Sequence, residues 1–186
     1  MARMKGLLVS VVCVVLISPF FQVHASQKNQ LFEFTSVESA GLQGRLDIEK
    51  TIETILDRPT TMTVDLIRVN SDVVSSLTPG VLQEGESTDL VLNESPVVVV
   101  SPSGRRMELN EFYVERNSPS GFFLSGSDTM NVTNSLTWGV QDDGAVFGNL
   151  HFGHEHYFVS SLEGDLHVLV RLDPSQFLDG AQPLDP

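Results

Sequence analysis

Apolar and polar residues alternate along most of the chain after residue 60, which is the period of a β-strand with one buried face. Residues 61–69 read T-M-T-V-D-L-I-R-V, and residues 107–115 and 157–172 alternate in a similar way. Segments rich in glycine, proline, serine and aspartate interrupt these runs about every ten residues. This spacing predicts a mainly β fold, either an antiparallel β-sandwich or a barrel-like meander.

One segment near the N-terminus has a helical pattern instead. Isoleucine and leucine recur at near-helical spacing over residues 47–56, and Arg58-Pro59 follows them. Because the residue before proline is disfavoured in helical conformation, the sequence predicts one short N-terminal helix that ends there. Residues 72–77 could form either a turn or a short helical segment.

The pattern indicates one β-rich domain over residues 45–175, flanked by two less regular segments. Residues 26–44 are polar and contain one apolar cluster at residues 31–34, so we expect a flexible arm or a short strand. Residues 176–186 are expected to form an extended tail. Within the domain, the four consecutive valines of Val97–Val100 predict a strand that is buried on both faces.

The first 25 residues have the features of a secretory signal peptide. Arg3 and Lys5 precede a short apolar run over residues 6–17, and small residues stand near a cleavage position after residue 25. The run is too short to span a membrane. We therefore predict an exported protein, secreted or periplasmic, with no membrane insertion after the signal is removed.

The net charge restricts the partners of the exported chain. The whole sequence has a formal charge of −13, and residues 26–186 carry 9 Lys and Arg against 24 Asp and Glu. Such an acidic chain should repel nucleic acid and anionic lipid, because both are polyanions. The single cysteine, Cys13, lies within the predicted signal, so the exported chain has no disulfide and no thiolate ligand. An exported domain without disulfides is more typical of bacteria.

Histidines are concentrated in residues 151–167, which include H-F-G-H-E-H-Y. In a continuous strand, His154 and His156 would share one face about 7 Å apart and could converge on a zinc ion. A two-residue turn at Gly164-Asp165 would pair His167 with Leu162, on the same face as His156 but roughly 20 Å away, so this hairpin alone would not complete a site. The histidines could equally be structural or contact a partner. The predicted partner-binding residues are His151, His154, Glu155, His156, Tyr157 and His167, and the predicted metal ligands are His154 and His156.

The sequence contains none of the common hydrolytic motifs. It has no G-x-S-x-G elbow, no H-E-x-x-H zinc helix and no glycine-rich phosphate loop after a strand. We therefore expect a non-catalytic protein with no required cofactor, although zinc could bind.

Three short segments occur in a recognisable order: R-P-T-T leading into V-D-L-I-R-V-N at residues 58–70, L-T-W-G at residues 136–139, and the closing pattern of residues 144–173, with Y-F-V, Gly164, H-V-L and Asp173. In these segments the chain resembles the N-terminal propeptide of secreted metzincin and reprolysin-like bacterial metallopeptidases, without their catalytic domain. The resemblance implies a β-rich propeptide fold. It also implies a role as inhibitor or folding chaperone of an exported metallopeptidase.

Two placements of an inhibitor on such a peptidase stay open. A histidine or carboxylate from residues 151–156 could approach the catalytic zinc, or residues 176–186 could lie in the substrate cleft. The alternative function is that of a stand-alone metal-binding or ligand-binding β-sandwich protein of the cell envelope.

Overall fold

The computed structural model describes residues 27–77, 82–92 and 96–176. The predicted signal peptide and residues 177–186 of the predicted tail lie outside the described residues. In chain order, a short 3₁₀ helix over Gln27–Asn29 is followed by β1 (Phe32–Thr35), α1 (Leu46–Leu56), β2 (Thr61–Val69), α2 (Ser71–Ser76), β3 (Ser87–Val91), β4 (Val97–Val100), β5 (Arg106–Leu109), β6 (Glu111–Arg116), β7 (Phe122–Ser127), β8 (Asn134–Val140), β9 (Val146–Phe152), β10 (Glu155–Glu163) and β11 (Leu166–Leu172).

The fold is mainly β, as predicted. Nine strands form one antiparallel sheet in the order β1-β2-β11-β10-β9-β8-β7-β6-β3, and β4 pairs with β5 in a separate two-stranded sheet. The described nine-stranded sheet is open, with β1 and β3 at its edges, so the barrel-like alternative does not describe it. The β4–β5 hairpin supplies the second layer, because its buried side chains belong to the same core as one face of the large sheet.

The main core lies between the two sheets. Trp138, Tyr157 and Phe112 are among its fully buried side chains, together with Val99 and Met107 from the hairpin. Burial of such large apolar groups is the dominant favourable contribution to folding. A second, smaller cluster lies on the opposite face of the large sheet, where α1 packs against β2, β10 and β11.

Two strand predictions need correction. The four-valine strand β4 is buried on one side only: Val97 and Val99 are buried, whereas Val98 and Val100 are half-buried. It belongs to a two-stranded layer, of which one face meets the core. The run predicted as one strand over residues 107–115 is two strands, because the chain passes from the hairpin to the large sheet at Asn110.

The predicted helix is confirmed as α1, and residues 72–77 contribute a second short helix, α2. Its N-terminus is capped by Asn70, whose side-chain oxygen accepts hydrogen bonds from the backbone N–H groups of Asp72 and Val73. Within the described ranges, no helix has the length and apolar character that a membrane crossing requires.

Residues 27–44 pack against the domain. Strand β1 pairs with β2, and Leu31 and Phe32 are almost completely buried in the main core. The sequence left open a short strand or a flexible arm for this segment. The structure contains the short strand, which belongs to the large sheet.

Candidate functional site

Strands β9 and β10 are joined by a tight turn at Gly153-His154, in the middle of the histidine-rich segment. Gly153 has a φ of 64°, in the left-handed region that favours glycine. The prediction that His154 and His156 lie on one face of a continuous strand is therefore wrong. His154 is exposed in the turn, while His156 lies on β10.

The turn brings a different pair of histidines together. His151 on β9 is the cross-strand partner of His156 on β10, and their ring centres are 4.3 Å apart at an interplanar angle of 48°. Both side chains are half-buried. Burial lowers the pKa of His151 below its ordinary value, and the neighbouring His156 lowers it further. This close pair is the arrangement of potential ligands that the sequence did not predict.

The side chains of Glu155 and Tyr157 lie at the same end of the sheet and contact other residues of the protein. Glu155 Oε2 accepts hydrogen bonds from Ser103 Oγ at 2.9 Å and from the Tyr157 hydroxyl at 3.3 Å. Its carboxylate also lies 3.4 Å from Arg171 Nη2 and 3.8 Å from Arg105 Nε. These contacts tie the β4–β5 turn to the β9–β10 turn.

Arg105 strengthens this connection. Its Nη1 donates a hydrogen bond to the Phe152 carbonyl oxygen at 2.8 Å, and a Cβ added at Gly153 would lie 3.3 Å from the same nitrogen. Burial raises the pKa of Tyr157, and the nearby Glu155 carboxylate raises it further. Glu155 and Tyr157 therefore hold the turn in place and present little surface to a partner.

His167 lies at the opposite end of the strands and is only 1% exposed. Its Nδ1 is 3.0 Å from the Asp165 carbonyl oxygen, and its Nε2 is 2.9 Å from Ser161 Oγ. A carbonyl oxygen can only accept, so Nδ1 carries the proton and Nε2 accepts from Ser161. The predicted pairing of His167 with Leu162 is wrong, because the register shifts after Ser161 and His167 pairs with Ser161 instead.

A pocket of about 370 Å³ opens beside His167, between α2 and the turns that join β8 to β9 and β10 to β11. Valine side chains form most of its wall, and its polar lining comes from Ser71, Ser75, Asp143, Asp165 and His167. Because both ring nitrogens of His167 are already hydrogen-bonded, this histidine offers no free nitrogen to a ligand in the pocket.

The six predicted site residues thus fall into four groups with different surroundings. His151 and His156 form a half-buried pair, His154 is exposed beside them, and Glu155 and Tyr157 are held in a polar network. His167 is separate from all of them. In the part of the chain that the structure describes, no group of three or more His, Cys, Asp or Glu side chains is arranged to hold a metal ion.

Comparison of the chain with protein-family models, with curated proteins and with solved structures finds no match. The resemblance to metallopeptidase propeptides therefore stays a prediction from the sequence motifs. What the histidine-rich end of the sheet can do has to be inferred from its own residues.

Proposed function

We propose that the protein is an exported, non-catalytic binding protein that inhibits an exported metallopeptidase or assists its folding, with the β9–β10 turn as its contact. The observation that carries the proposal is the exposed His154 at the end of a turn held by the Glu155 network. The sequence resemblance and the predicted signal peptide point to the same class of partner.

The turn suits this role because it is ordered before a partner arrives. Glu155 and Arg105 connect it to the β4–β5 turn, so little conformational entropy is lost when it enters a cleft. Its short loop leaves the His154 side chain at the surface.

An exposed imidazole is also a suitable ligand for the partner's metal. Catalytic zinc sites in peptidases have three protein ligands and keep one coordination position open for water or substrate. A neutral histidine nitrogen from His154 would fill that position at about 2.0–2.1 Å and displace the water that attacks the substrate. The excess of acids over bases would favour a peptidase with a basic cleft.

The decisive experiment measures both binding and inhibition. Binding of the purified protein to exported metallopeptidases from the same host is measured by co-purification, and peptide hydrolysis by each of them is followed as a function of inhibitor concentration. We expect inhibition, and we expect His154→Ala to weaken it at least about tenfold, since roughly 1.4 kcal/mol corresponds to a factor of ten.

His151→Ala is the matched control, because it removes a neighbouring imidazole that lies on the sheet and not in the turn. It should inhibit like the unmodified protein. Absence of binding to every exported metallopeptidase tested would contradict the proposal, and equal inhibition by His154→Ala would contradict the role of the turn.

A further inference from the structure

The two-residue turn at Gly153-His154 determines how closely His151 and His156 approach. Phe152 and Glu155 are the pair that closes the turn, so His151 and His156 form the next pair along the hairpin. In an antiparallel hairpin this next pair is not hydrogen-bonded through its backbone, and its side chains lie closer together than those of the hydrogen-bonded pairs. The observed ring separation of 4.3 Å agrees with that geometry.

The ring nitrogens of this pair have no hydrogen-bond partner among the described residues. Neither His151 nor His156 makes a side-chain hydrogen bond or an ion pair with a described residue, and the two rings contact each other. His167 has the opposite arrangement, since both of its nitrogens are hydrogen-bonded. The nitrogen of a neutral histidine imidazole is the commonest metal ligand in proteins.

We propose that His151 and His156 together form a two-histidine chelating site for a divalent transition-metal ion, with Cu²⁺ bound most tightly. Water or a ligand from outside the chain fills the remaining coordination positions. This site differs from the predicted pairing of His154 with His156. It does not rest on the proposed inhibition of a peptidase.

The geometry requires little rearrangement. Two imidazole nitrogens at about 2.0–2.1 Å from one metal ion hold their ring centres on the order of 5 Å apart. The rings of His151 and His156 are already within an ångström of that spacing, and their tilt of 48° keeps them from stacking face to face. The separation of the two rings therefore suits a metal ion that is bound by one nitrogen of each.

The chemistry of the ligands selects the metal. Imidazole nitrogen suits Cu²⁺, Ni²⁺ and Zn²⁺, and among divalent ions of the first transition row the affinity is highest for Cu²⁺. The chelating pair exceeds a single histidine because the second nitrogen binds at a high effective concentration, a gain of about 10²–10⁴. The exported chain carries no thiolate that would compete for the metal, because Cys13 is its only cysteine and lies in the predicted signal.

The test is titration of the purified protein with Cu²⁺, followed by calorimetry and by electron paramagnetic resonance. We expect one ion per chain and the spectral signature of two nitrogen ligands. Changing either His151→Ala or His156→Ala should weaken binding about 100-fold and reduce the nitrogen ligands to one. Both variants should keep the unfolding transition of the unmodified protein, which excludes misfolding as the cause.

His154→Ala is the matched control, since this histidine is exposed and adjacent but lies outside the pair. It should bind Cu²⁺ like the unmodified protein. Equal weakening by His154→Ala, or unchanged binding in both pair variants, would overturn the proposal. The outcome of this test is independent of peptidase inhibition. Loss of inhibition by His154→Ala with intact Cu²⁺ binding would support both proposals. Absence of inhibition by the unmodified protein with intact Cu²⁺ binding would contradict only the proposed peptidase inhibition.

Discussion

The two ends of the β9–β10–β11 region hold histidines with opposite hydrogen-bonding environments. At one end, His151 and His156 lie side by side on the face of the sheet that α1 only partly covers, and no described residue is hydrogen-bonded to their ring nitrogens. At the other end, His167 is buried, and each ring nitrogen has a hydrogen-bond partner. The histidines at one end could therefore bind a ligand, whereas the histidine at the other end has a structural role.

The difference follows from the hydrogen-bonding groups that lie near the histidines at each end. Near His167, the backbone N–H of Val146 donates to Ser161 Oγ at 3.0 Å, and Ser161 in turn donates to the ring. This chain of bonds connects β9, β10 and β11. Near His151, the two-residue turn places two rings against each other, and neither ring is hydrogen-bonded to a described side chain or backbone group. Hydrogen-bond satisfaction, more than sequence position, separates the two classes of histidine.

The largest expected effect is the loss of the His167 ring. His167→Ala would leave a cavity and would also leave Ser161 without its acceptor, so the free energy of unfolding should fall by about 3 kcal/mol. Urea unfolding followed by tryptophan fluorescence measures it, since Trp138 is buried in the main core.

His151→Ala is the comparison within the same experiment. A half-exposed side chain without hydrogen bonds should contribute within about 0.5 kcal/mol of zero. If the two variants were equally destabilised, the contrast between structural and available histidines would be wrong.

A smaller effect is expected at the hydroxyl that joins the three strands. Ser161→Ala removes the acceptor of the Val146 N–H and the donor to His167 Nε2, which should cost about 1–2 kcal/mol in urea unfolding. Ser160→Ala is the control, because this neighbouring serine lies on the opposite face of β10 and makes no side-chain hydrogen bond to a described residue. An unchanged midpoint for Ser161→Ala would show that this chain of bonds contributes nothing to stability.

The smallest expected effect is a loss of stability on acidification. Burial lowers the pKa of His167 below 6.5, against an opposing contribution from its bond to the Asp165 carbonyl oxygen. Above 6.5 the ring is neutral in both the folded and the unfolded chain. Below 6.5 the unfolded chain binds the proton first, so stability is lost as the pH falls through the folded-state pKa.

Urea unfolding between pH 7.5 and pH 5.5 measures this dependence. The pKa of His151 is lowered as well, first by burial and then by His156, so its contribution has the same sign. His167→Gln should flatten the pH dependence more than His151→Ala, because His167 is the more deeply buried of the two. A slope that stays unchanged in both variants would contradict the assignment to these histidines.

Much of the fold could be predicted from the sequence because its signals are local. Alternation with period two located β2 as Thr61–Val69, and Gly164-Asp165 located the last turn. The split at Asn110 was missed because the alternation of residues 107–115 continues through it, although the two halves belong to different sheets.

The candidate site was less predictable, for two physical reasons. The turn at Gly153-His154 interrupts an alternating run without an Asn-Gly or Asp-Gly pair, and the isolated glycine was the available signal. The groups that surround Glu155 come from residues far away in the sequence, namely Ser103, Arg105 and Arg171. Only the completed fold brings them together.

The order of the strands in the large sheet also determines when the protein can fold. Strand β2 pairs with β11, and Arg68 forms an ion pair with Asp165, 97 residues further along the chain. Until residues 166–172 have been synthesised, β2 lacks its neighbour β11, and the cluster that α1 packs into lacks three of its seven buried residues. Pairing over so long a separation is slow, because closure of the loop precedes the contacts that reward it. The growing chain therefore stays incompletely folded until β11, the last strand of the described residues, emerges.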